Sequence, residues 1–133
     1  MRKILIVEDE QLIVEFVDFL LRQEGFLPLT APEGDVVLPL IRQERPELIL
    51  LDLLLPTVDG FEVLRQLKDA PDLKGIPVII LTARNRDADL ALAFRMGASD
   101  YVVKPFSPTE LLARIHKTLQ QHSRPKHPPH GGI

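Results

Sequence analysis

Four short aliphatic runs recur along the chain, and they constrain its fold more than anything else does. They are KILIV (3–7), ELILL (47–51), PVIIL (77–81) and the shorter YVV (101–103). A weaker run, FLPLT (26–30), suits an edge strand, because Pro28 cannot donate to a ladder and is tolerated only at the rim of a sheet. Stretches with helical spacing lie between the runs. Leu12, Ile13, Phe16, Val17, Leu20 and Leu21 form one apolar face, and Gly25 follows as a stop. Phe61, Leu64 and Leu67 repeat the pattern after Gly60, Leu90, Ala91 and Phe94 repeat it before Gly97, and Leu111, Leu112, Ile115 and Leu119 form the last. Strands alternating with helices of this length give βαβ units and a parallel sheet. Strands that are aliphatic almost without interruption are buried on both faces. The expected fold is α/β, a doubly wound five-stranded parallel sheet in the order 2-1-3-4-5 with five helices.

One segment departs from the pattern. Glu33 to Gln43 falls where the second helix belongs but carries Gly34 and Pro39. An interior proline costs about 3 kcal/mol, so the segment is expected to kink or to start its helix late. After residue 121 the sequence turns to HSRPKHPPHGGI, without apolar periodicity. The chain therefore divides into one domain over 1–121 and a tail over 122–133, expected to be disordered or the start of a linker. His122, His127 and His130 offer imidazoles there, but their irregular spacing argues against a metal site.

The aliphatic runs share a second property. KILIV ends in Glu8 and Asp9, ELILL in Asp52, PVIIL in Thr82, and YVV in Lys104 followed by Pro105. Asp52 is the odd one, a carboxylate among seven leucines and isoleucines in ELILLDLLLP. Burying its charge unpaired costs several kcal/mol. Each residue has a local explanation, since helix caps use the same residue types and a strand end is where a chain surfaces. Their coincidence points further. Ligands of open parallel sheets bind beyond the carboxyl ends of the strands, where strand order reverses. In the expected order that point lies between strands 1 and 3, bringing Asp9 and Asp52 together. Converging carboxylates repel one another unless a cation sits between them, and a hard divalent ion with oxygen ligands meets that need. Lys104 and Thr82 then offer a positive charge and a hydroxyl to a phosphate, and a carboxylate is at hand as nucleophile.

The stretches ILIVEDE, LLDLLLPTVDGFEVL, PVIILTAR and GASDYVVKPFSPTELLARI together resemble the receiver domain of two-component response regulators, over about Arg2 to Gln120. The resemblance implies a phosphoacceptor switch rather than an enzyme acting on other substrates. By that resemblance Asp52 would accept a phosphoryl group from a histidine kinase or phosphotransfer protein. Glu8, Asp9, Asp52 and the backbone carbonyl of Leu54 would hold Mg2+, or Mn2+ in its place. Lys104 would bind the phosphoryl oxygens and precede a cis bond to Pro105. Thr82 would swing toward the phosphoryl group and Tyr101 would turn inward behind it, altering the surface of helix 4, strand 5 and helix 5. Leu54 and Arg84 flank the site and are expected to gate water. The last third is most similar to the receivers of winged-helix transcription regulators, which dimerise through that surface. Asp100, Glu110 and Arg114 match their pattern, with Phe94 on the same surface. Leu90 stands where those receivers usually carry a basic residue and Arg95 where an acidic one is common, so a homodimer here is expected to rest more on apolar contact.

Composition excludes several classes. The formal net charge of -3 and the lack of a basic block leave no footprint for nucleic acid. No apolar run approaches the length of about 20 residues that spans a membrane, and Ile4–Val7 is too short for a secretory signal. The absence of cysteine excludes disulfides, and a cytoplasmic location is expected. Two enzyme or cofactor-binding readings fit poorly. An aspartyl phosphatase resembles a D-x-D pattern, and the position two beyond Asp52 is Leu54. A flavodoxin-like cofactor site would place a phosphate against Glu8, Asp9 and Glu10. A receiver-like scaffold that is never phosphorylated is the remaining alternative.

Overall fold

The computed structural model describes residues 1–123. Its elements are β1 (Lys3–Val7), α1 (Gln11–Gln23), β2 (Leu27–Ala31), a single 3-10 turn (Gly34–Val36), α2 (Val37–Glu44), β3 (Leu48–Leu51), α3 (Gly60–Asp69), β4 (Val78–Thr82), α4 (Asp87–Arg95), β5 (Asp100–Val103) and α5 (Pro108–Ser123). The five strands form one parallel sheet in the order β2-β1-β3-β4-β5. The doubly wound arrangement read from the aliphatic runs is the one observed. Alternate residues of each strand feed opposite faces. Leu5, Val7, Ile49, Leu51, Val78 and Ile80 pack under α2, α3 and α4, while Ile4, Ile6, Leu48, Leu50, Ile79 and Leu81 pack under α1 and α5.

The irregular second crossover follows from its proline. The 3-10 turn takes up Gly34–Val36 and α2 begins only at Val37, so Pro39 is its third residue. The N–H groups of a first turn have no intrahelical acceptor, and a proline there forfeits no bond. The helix starts late rather than kinking. Gly25 and Gly97 follow α1 and α4 with φ of 86° and 108°, the left-handed region that stops a helix most easily at glycine.

Three helix faces differ from expectation. In α1 the buried residues are Val14, Val17, Leu20 and Leu21, whereas Leu12 is 76% exposed and Phe16 41%. The helix carries two apolar stripes at helical spacing, and the sheet takes the one through Val14, Val17 and Leu21. In α4 only Ala93 is buried; Leu90 is half-buried and Ala91 and Phe94 face outward. Val63, absent from the expected face of α3, is fully buried there, and Phe61 is only partly so. α5 runs through His122 to Ser123, and the remainder of the expected tail, 124–133, lies outside the described residues. No helix among the described residues is long and apolar enough to cross a membrane.

Candidate functional site

The register Val7↔Leu51 sets the ends of β1 and β3 side by side. The next residues are Glu8 and Asp52, and the Asp52 N–H donates to Val7 O at 3.0 Å. From β5, two strands away, Lys104 N–H donates to Thr82 O at 2.8 Å and its side chain reaches back across the sheet end. Its ammonium lies 2.5 Å from Glu8 Oε1 and 3.1 Å from Asp52 Oδ2. Asp52 Oδ1 accepts the Leu54 N–H at 3.0 Å, and Glu8 Oε2 accepts the Glu10 N–H at 3.0 Å. Both carboxylates are buried, and no buried side-chain polar atom lacks a partner among the described residues. The carboxylate set among leucines is therefore paired. Burial pushes the Glu8 carboxyl above its ordinary value, with the Lys104 ammonium and the Glu10 N–H pulling the other way. Burial works against the Lys104 charge, but contact with Glu8 and Asp52 outweighs it and raises that pKa.

Asp9, exposed, completes the cluster: carboxylate oxygens of Glu8, Asp9 and Asp52 lie within 4.8 Å of one another. Three carboxylates against one ammonium leave two negative charges. An all-oxygen donor set with that residue of charge fits a hard divalent cation. His122 is remote from it, with Nδ1 3.1 Å from Thr118 O, and His127 and His130 lie outside the described residues.

α3 sets the floor of the site. Asp59 caps it by accepting the Phe61 N–H at 2.8 Å, and Gly60 N–H donates to Leu53 O at 2.9 Å. A Cβ on Gly60 would stand 2.4 Å from the Asp52 carbonyl oxygen and 2.4 Å from Leu53 Cα, closer than any real contact. Sequence reasoning assigned Gly60 no role in the site; a glycine that reads as helix punctuation shows its need only when two backbones meet.

The wall beyond Asp52 is the loop after β4. Thr82 is wholly buried, and its Oγ1 accepts the Arg84 N–H at 3.4 Å. Tyr101 already points inward, its hydroxyl donating to Arg84 O at 2.6 Å, and burial pushes its phenol above the ordinary pKa. The Arg84 guanidinium pairs with Asp89 at 3.0 Å and lies over the Phe61 ring, 5.2 Å from its centroid. Leu54 stands half-exposed. The Lys104–Pro105 peptide is cis.

On the surface of α4, β5 and α5, Asp100, Glu110 and Arg114 pair with one another within the chain. Arg114 Nη1 donates to both Asp100 oxygens at 2.9 Å, and its Nε lies 3.4 Å from Glu110. Phe94 is 46% exposed beside them, Leu90 half-buried and Arg95 exposed.

Residues 4–116 match the family model of the response regulator receiver domain. Among solved structures, the chain is similar to the BeF3-activated N-terminal receiver domain of Klebsiella pneumoniae RstA, at 35% identity and a TM-score of 0.84, covering 90% of this chain and 100% of that one. The signal receiver domain of a signal transduction histidine kinase from Syntrophus aciditrophicus matches at 32% identity and a TM-score of 0.85, over 95% of this chain and 96% of that one. The Mn(2+)-bound form of response regulator Rcp1 matches at 31% identity and a TM-score of 0.76, over 91% of each chain.

Proposed function

Because the chain belongs to the response regulator receiver domain family, we propose that it is the phosphoacceptor switch of a two-component phosphorelay, with Asp52 as the acceptor. The observation that carries this reading is the paired, buried Asp52 carboxylate beside Glu8, Asp9 and Lys104, a cluster left with two uncompensated negative charges. Asp52 attacks the phosphorus of a phosphohistidine on a histidine kinase or phosphotransfer protein. The new O–P bond forms as the P–N bond breaks, and the electron pair leaves on the imidazole nitrogen. Glu8, Asp9, Asp52 and the Leu54 carbonyl would hold Mg2+ or Mn2+, which supplies charge neutralisation for the phosphoryl oxygens. Lys104 turns from its carboxylate partners to those oxygens, and the Thr82 hydroxyl donates to one of them. Thr82 leaves Arg84 N–H in doing so, and the loop that anchors Tyr101 moves with it. Leu54 and Arg84 screen the acyl phosphate from water.

The readout is the surface of α4, β5 and α5, and a cytoplasmic location is part of this reading. Asp100, Glu110 and Arg114 satisfy one another within the chain, so a homodimer across this face rests on Phe94 and Leu90, with Arg95 at the rim. Residues 1–121 form the receiver. Titration with beryllofluoride in the presence of Mg2+ tests the reading: amide shifts at Thr82 and Lys104 that vanish in Asp52→Ala support it. Shifts that survive in Asp52→Ala contradict it.

A further inference from the structure

At the end of the sheet opposite Asp52, the last turns of α3, α4 and α5 surround a hollow of about 660 Å³. Lys68, Lys74, Arg95, Ser99 and His122 are among its lining residues, and no carboxylate is. This runs against a chain whose net charge is -3. The local explanation is that Lys68, Arg95 and His122 each sit in the last turn of a helix, where a cation complements the dipole. Magnitudes show that it does not suffice. Three helix ends contribute roughly -1.5 elementary charges, and Lys68, Lys74 and Arg95 contribute three positive ones before His122 is counted. The hollow stays positive.

Its cations are also held or free in a useful way. The Lys68 ammonium donates to Lys74 O and Ile76 O at 3.0 Å each, which fixes it and leaves one N–H to spare. Lys74 and Arg95 are exposed, and neither forms an ion pair among the described residues.

We propose that this hollow binds a small oligophosphate anion, of the size of pyrophosphate or the phosphate chain of a nucleotide. Several cations around one small volume match an anion with several charges in the same volume. An acidic peptide segment spreads its charges along an extended backbone, at about 3.4 Å per residue. The planar fork of Arg95 suits a phosphate bidentately, lysines serve as point charges, and a serine hydroxyl adds a donor. Five-residue strands separate the two ends, so the hollow is distinct from the Asp52 cluster, and the inference does not depend on phosphorylation of Asp52.

Titrating metal-free full chain with pyrophosphate at about 100 mM salt, where exposed charges are screened beyond about 10 Å, tests the inference through amide shifts. Saturable shifts at Lys74, Gly75, Gly97 and Ser99 are expected, with affinity falling at least about tenfold in Lys74→Glu/Arg95→Glu. Both side chains are exposed, and an unchanged spectrum elsewhere verifies the fold of the variant. Non-saturating shifts, shifts only around Thr82 and Lys104, or full retention in the double variant would overturn the proposal. Tighter binding of hexaglutamate at the same amides would overturn the phosphate assignment in favour of an acidic protein segment.

Discussion

Lys104 spends its charge on two buried carboxylates at once, and much of the chemistry of the site follows from that sharing. Removing it in Lys104→Ala leaves three carboxylates uncompensated. The variant is expected to keep its fold while binding a divalent cation severalfold more tightly, since it no longer has a competing cation. Calorimetric titration with Mg2+ measures this, and weaker binding would contradict it. Glu8 sets the pH dependence. Its folded pKa lies above the ordinary 4.5, so the folded state holds that proton more tightly than the unfolded chain. Its contribution to stability is therefore present below pH 4.5 and is lost as pH rises through the folded value. An entering cation must displace that same proton. Apparent Mg2+ affinity should begin to fall with decreasing pH while ordinary carboxylates are still ionised; Glu8→Gln should flatten the profile. Gly60 is the third residue on which the site turns. With its Cβ position overlapping backbone atoms of Asp52 and Leu53, Gly60→Ala should cost about 1–3 kcal/mol as overpacking, read as a lowered denaturation midpoint, and should weaken cation binding as well.

At the scale of elements, the loop between β4 and α4 joins the site to the surface. Arg84 links α3 through Phe61 and α4 through Asp89, while its carbonyl holds Tyr101. Tyr101 is the sole tyrosine and the chain has no tryptophan, so intrinsic fluorescence reports on it alone. Arg84→Ala should cost under about 1 kcal/mol of stability, because the pair with Asp89 is partly exposed. It should nevertheless make Tyr101 more accessible to acrylamide quenching; unchanged quenching would show that the loop does not need the guanidinium. On α4, Phe94 faces water. Phe94→Ser should leave monomer stability within about 0.5 kcal/mol and weaken any self-association that phosphorylation induces, as measured by sedimentation.

The same scale shows what could be read from the chain beforehand. Strand order and the convergence of Glu8, Asp9, Asp52 and Lys104 were legible, because a continuous aliphatic run reports burial on both faces and a polar residue at its end reports where the strand surfaces. Helix faces were less so. Two apolar stripes on α1 satisfy the same periodicity, and only contact with the sheet decides that Val14 goes in and Phe16 stays out. The approach of Gly60 to β3, the stacking of Arg84 on Phe61 and the inward rotamer of Tyr101 arise between segments distant in sequence. No local pattern encodes them.

Taken whole, the molecule is polarised along its strands. Three carboxylates gather beyond the C-terminal ends of β1 and β3, and cations without an ion-pair partner among the described residues gather beyond the opposite ends of β4 and β5. The sheet between them is packed on both faces and offers little give. Under the proposed function, a change of charge at Asp52 is expected to be expressed in the loop after β4 and the surface it anchors rather than in the sheet. That account rests on Asp52 taking a phosphoryl group. Intact-protein mass after incubation with a small-molecule phosphodonor, with and without Mg2+ and alongside Asp52→Ala, tests it most directly. A single phosphoryl addition that requires the cation and disappears in the variant is the predicted result. No addition to the wild-type chain, or an equal addition to Asp52→Ala, would contradict it and leave a receiver fold that works through protein contacts alone.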